Sequence, residues 1–130
     1  MSTRGIYIFK DKDGTEFHVY KHHDNYPSGA CEFLVDALKK AWPLPRYEAD
    51  EFACAFIAAN KDSGGEVRLV PHGVSEMGQD YTYIISCPDS NVFGQTKAEL
   101  MIEFDDVDEN DRKYTFKGSL SSMLARYSEK

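Results

Sequence analysis

His22, His23, Asp24 and Tyr26 crowd two imidazoles, a carboxylate and a phenol into one short stretch that runs on into Pro27, Ser28 and Gly29. An imidazole titrates near neutral pH, so a histidine at such a place could shuttle a proton. A helix starting after Pro27 would set unpaired amides and the positive end of its dipole beside these groups. With Arg4 as a nearby guanidinium, the candidate binding residues are Arg4, His22, His23, Asp24 and Tyr26. The same stretch also has folding roles open to it. Asp24 and Asn25 suit a turn, Tyr26 is pushed toward extended geometry by the following proline, and Ser28 can accept from the first helical amides as an N-cap.

Sharper chemistries lack part of their signature. On a strand, adjacent His22 and His23 would point apart, so a metal would need a third ligand from His18, His72 or a distant carboxylate. Cys31 would sit near the third residue of the helix, where the dipole lowers a thiol pKa, although cysteine is also among the residues most often simply buried. Ser2 would become an N-terminal nucleophile if Met1 were removed. Asp11-Lys12-Asp13-Gly14 and Asp105 to Asp111 resemble pieces of calcium loops without the glycine and glutamate spacing of an EF-hand, so both read as solvated turns. Gly64-Gly65, Gly73, Gly78 and Gly94 form no phosphate-cradling motif, and no G-x-S-x-G elbow occurs. No catalytic residue, metal or cofactor is therefore assigned.

The elements that must position these residues follow from periodicity. Gly5 to Lys10 and Thr15 to His22 are rich in aromatic and β-branched residues around the turn Asp11 to Gly14, which predicts a hairpin. Alternation puts His18, Tyr20 and His22 on the face opposite Phe17 and Val19. Ala30, Phe33, Leu34, Ala37, Leu38 and Ala41 recur at three and four, which predicts a helix after Pro27 that ends at Trp42, before Pro43-Leu44-Pro45. A second helix, about Tyr47 to Asn60, presents Ala49, Phe52, Ala53, Phe56 and Ile57, and stops at the polar run Lys61 to Gly65. Glu66 to Val70, Asp80 to Cys87, Lys97 to Phe104 and Lys113 to Lys117 read as four strands of an antiparallel meander. Leu120, Met123, Leu124 and Tyr127 then predict a short helix capped by Ser119. The expected fold is one α+β domain over residues 1–130, in the order ββαα-ββββ-α, with a mainly antiparallel sheet and the helices on one face.

Composition narrows the partners. A net charge of -7 repels phosphate backbones and anionic lipid at long range, so direct nucleic-acid and membrane binding are not expected. Cys31, Cys54 and Cys87 are odd in number and far apart, which fits reduced thiols in the cytoplasm better than a disulfide framework. No signal pattern or bilayer-length apolar run occurs.

Ser2-Thr3-Arg4-Gly5 and the segment from His22 to Gly29 together resemble a group of small phage, prophage and bacterial proteins. Members open with Ser-Thr-Arg or Gly-Thr-Arg and carry Asp-Gly-Tyr-Pro-x-Gly near this position. Asn25 stands here where glycine is usual, and both residues tolerate a left-handed turn. The resemblance covers about thirty residues and implies a mobile-element origin, with no catalytic residue carried over. The expected function is that of an accessory protein binding a host or phage protein, or a small ligand, through the loop from His22 to Ser28. Two alternatives remain open: a small hydrolase or transferase pairing a loop histidine with Cys31 or Ser2, and an acidic inhibitor of a host defence or nucleic-acid enzyme using carboxylates from Glu103 to Asp111.

Overall fold

Tyr7 and Phe9 alternate with Ile6 and Ile8, a period of two whose apolar residues on both sides suit a central strand. The computed structural model describes residues 3–41, 47–61, 66–74, 76–87 and 100–127. In it, this stretch is β1 (Gly5–Lys10), paired antiparallel with β2 (Glu16–Lys21). Helices α1 (Pro27–Lys40) and α2 (Ala49–Lys61) follow, then β3 (Val67–Leu69), β4 (Tyr81–Ser86), β5 (Met101–Val107), β6 (Lys113–Ser119) and α3 (Leu120–Tyr127). The fold is α+β in the expected order, with one six-stranded sheet, β3-β2-β1-β4-β5-β6, that is antiparallel at every junction except β1 with β4.

That junction corrects the expected meander. Of the four strands expected in it, only β4, β5 and β6 run as consecutive neighbours, whereas β3 lies at the far edge beside β2 and β4 crosses to pair parallel with β1. Alternation dictates which face a side chain takes but not which strand lies alongside. β3 is three residues long, with Arg68 and Leu69 exposed, which suits an edge, whereas β4 buries Tyr83 and Ile85 and belongs inside. Tyr7 and Tyr83 are paired in register and their rings stack with centroids 5.1 Å apart.

One face of the sheet carries Tyr7, Phe9, Val19, Tyr83, Ile85, Ile102, Phe104 and Phe116. Leu34, Phe52, Phe56, Leu120 and Met123 of the helices complete that core. Aromatic pairs such as Tyr7 with Phe56 (4.5 Å) and Phe104 with Phe116 (5.3 Å) add about 0.5–1.5 kcal/mol each beyond the area they bury. Leu38, expected within the apolar stripe of α1, is exposed at its margin. The connector around Pro43 and residues 97–99 of the expected fifth strand lie outside the described residues. β5 instead extends through Asp105 and Asp106 to Val107.

Both described hairpin turns have the same closure. Asp11 N–H donates to the Thr15 carbonyl and Gly14 N–H to that of Asp11; likewise Asp108 N–H donates to Arg112 and Asp111 N–H to Asp108. Gly14 and Asp111 take the positive φ that this turn demands, 92° and 63°. Asp11 also reaches across the fold, accepting from the Ala49 N–H at 3.0 Å and thereby capping α2. Among the described residues, no helix is long and apolar enough to cross a membrane.

Candidate functional site

Tyr26, held extended (φ -64°, ψ 161°) by the proline after it, is the N-cap of α1, and Pro27 occupies the first turn with its φ already set for a helix. Ser28 is therefore already inside the helix and makes no capping bond, contrary to the expected role. The left-handed residue of the loop is Asp24 (φ 65°) rather than Asn25. An aspartate tolerates that conformation because its short polar side chain crowds the backbone little.

Asn25 does something no turn propensity foretells. It is fully buried, with its Nδ2 donating to the carbonyls of Lys21 (2.8 Å), Thr3 (3.0 Å) and His23 (3.0 Å). Its Oδ1 accepts the Tyr7 hydroxyl and its carbonyl the Tyr83 hydroxyl, each at 2.6 Å. Burial holds both tyrosines well above their ordinary pKa, so the two hydroxyls stay protonated and donate. The loop is thus clamped to the centre of the sheet by a satisfied polar network, the arrangement that gives a buried polar group its rigidity.

Lys21 is the second buried polar anchor. At 3% exposed, it donates from Nζ to the His23 carbonyl at 2.9 Å and lies 3.7 Å from the centre of the Phe33 ring. Burial lowers its pKa, opposed by the Asp24 carboxylate. Sequence reading missed Lys21, although its parity with Phe17 and Val19 puts it on the core face.

Around this scaffold a groove of about 430 Å³ opens between the loop and α1, lined by Asp24, Tyr26, Ser28, Gly29, Glu32 and Phe33. Gly29 makes the close approach possible, because a Cβ there would collide with the Asp24 carbonyl oxygen and crowd the Tyr26 ring. Asp24 and Glu32 are exposed, and Tyr26 is 43% exposed.

Of the five candidate residues, Asp24 and Tyr26 line the groove and the other three do not. Arg4 leans toward Gly78, and its backbone N–H donates to the Asp80 carboxylate at 2.9 Å. His22 shares a 2.7 Å hydrogen bond between Nδ1 and the Tyr20 hydroxyl. The His22 and His23 rings do not point apart as expected but meet edge to face with centroids 4.5 Å apart, because β2 has ended at Lys21 and strand alternation no longer applies. Among the described residues, no three His, Cys, Asp or Glu side chains converge as metal ligands. Glu32 and Phe33 join the site from α1 without a local sequence signal.

The other chemistries fare as follows. Cys31 is 1% exposed and burial, with Glu32 adding to it, pushes its thiol up to about 11, the opposite of an activated nucleophile. Ser2 lies outside the described residues. The acidic segment is divided by the pleat of β5. Asp106 faces the helices, accepting from the hydroxyls of Tyr81 (3.1 Å) and Tyr114 (3.4 Å), while Asp105 accepts from Thr115 (2.6 Å). Asp108 closes the turn by accepting from the Asn110 and Arg112 amides, which holds its carboxyl below the usual range. Compared with protein-family models, with curated proteins and with solved structures, the chain matches none.

Proposed function

We propose that the protein acts by binding, with the groove between the loop from His22 to Ser28 and the first turns of α1 as its recognition surface. The observation that carries this reading is the contrast between scaffold and rim. Asn25 and Lys21 are buried and hydrogen-bonded, whereas the Asp24 and Glu32 carboxylates and the Tyr26 and Ser28 hydroxyls hydrogen-bond no other described residue. A rigid concavity with a few uncommitted polar groups and exposed ring surface is how small-ligand and side-chain pockets are built. The resemblance of the first thirty residues to small phage and prophage proteins supports an accessory role of that type. The three cysteines, odd in number and far apart in sequence, support action in the cytoplasm.

A fragment screen monitored by amide chemical shifts tests the location. Ligands should displace the signals of Asp24, Ser28, Gly29 and Glu32. Hits gathered instead at the depression bounded by Glu16, His18, Leu69 and Val74 would overturn the assignment.

A further inference from the structure

We infer that the groove takes a cationic side chain, the guanidinium or ammonium group of a basic partner segment; this inference rests on the binding reading above and names its ligand class. Two sets of charges meet at the site, and they differ in what they present to solvent. The positive ones are covered. Lys21 is 3% exposed, with its Nζ committed to the His23 carbonyl and the Phe33 ring. At the positive end of α1, Pro27 supplies no N–H and the Asp24 carbonyl oxygen lies directly over Gly29.

The negative groups are open. Asp24 and Glu32 both line the groove and are exposed, with neither carboxylate drawn into an ion pair with a described residue. The rings of Tyr26 and Phe33 line the same groove; Lys21 already covers one face of Phe33, and the negative face of an aromatic ring such as the 43% exposed Tyr26 attracts a cation within about 6 Å of the centroid. A planar guanidinium can lie against a ring while its N–H fork meets a carboxylate, a combination that an ammonium reproduces only in part. The groove's volume is at the lower end of the range of about 300–1,000 Å³ for small-ligand sites, which suits one side chain rather than a large cofactor. At longer range, the net charge of -7 draws a basic segment in and repels an anion.

The test is a titration of the full chain with capped arginine (N-acetyl-arginine amide), followed by amide chemical shifts at low ionic strength. Capped citrulline, the neutral shape mimic, capped lysine and inorganic phosphate are the comparisons. Capped arginine should shift Ser28, Gly29 and Glu32 in a saturable way, capped lysine should bind more weakly, and citrulline should bind at least about fivefold more weakly. The double variant Asp24→Asn, Glu32→Gln should lose at least about fivefold in arginine affinity, and salt should weaken binding to the wild-type chain. Asparagine is at ease at positive φ and glutamine in a helix, so the variant keeps the fold, which its unfolding midpoint checks. Equal binding of citrulline and arginine, insensitivity to the double variant, or preferential binding of phosphate at the same amides overturns the cationic assignment and leaves the groove as the binding site. Failure of every probe and every fragment to move those amides overturns both.

Discussion

Six hydrogen bonds converge on Asn25, and none can be replaced by water, because the residue has no exposed surface. Asn25→Ala keeps the backbone bonds and leaves Lys21 Nζ on the His23 carbonyl, but it strands the buried Tyr7 hydroxyl and takes one donor from the Lys21 carbonyl. A buried unsatisfied group costs about 1–3 kcal/mol, so the variant should lose about 1–3 kcal/mol in urea unfolding. A loss under about 1 kcal/mol would mean that the network contributes little. Glycine at this position, usual in the resembling group, would leave the same groups stranded. The apparent equivalence of Asn and Gly as left-handed turn formers does not apply here, because Asp24 takes that conformation.

Positive φ separates the two hairpins at the scale of elements. The first places Gly14 at the position closing the turn, and the second places Asp111 there, where a Cβ is crowded. Asp111 accepts no structural bond through its side chain among those that shape the turn; that role belongs to Asp108. Asp111→Gly should therefore stabilise the protein by about 0.5–1 kcal/mol, with the relief of strain outweighing the added freedom of the unfolded chain. A lower thermal midpoint than the parent would show that the strain is absent. The opposite case is Gly29, inside a helix where alanine is ordinarily favoured by about 1 kcal/mol, yet where the Asp24 carbonyl excludes a side chain.

Across the whole molecule, the buried ionisable groups set the response to alkali. Cys31 rises from an ordinary 9.0 to about 11, and Tyr7, Tyr47 and Tyr83 are raised above 10, all chiefly by burial. A raised folded pKa means that the native state holds its proton more tightly, so the contribution is complete below the unfolded value and drains away as pH climbs toward the folded one. Lys21 works in the other sense: its lowered pKa makes deprotonation favour the fold as pH rises toward 10.5. One amine opposes one thiol and three phenols. Stability should therefore begin to fall near pH 9 and drop more steeply above pH 10, as read from urea midpoints across that range. A midpoint unchanged to pH 11 would contradict the burial of these groups.

Local physics made much of this chain legible from its residues. Periods of two and three to four set the element order and α+β class and most of the core faces, because burial of one side acts residue by residue along a strand or helix. Lys21 shares the parity of Phe17 and Val19, but the sequence reading did not single it out as buried. What only the tertiary structure decided depends on residues distant in sequence. Tyr83 reaches Asn25 across 58 residues, Asp11 caps a helix 38 residues away, and β1 lies parallel to β4. The groove shares that origin, since Phe33 meets Lys21 and Glu32 comes to share a groove with Asp24 only after α1 has packed into the core. Side-chain patterning encodes which face is apolar, while the choice of neighbour is settled by how the whole core closes.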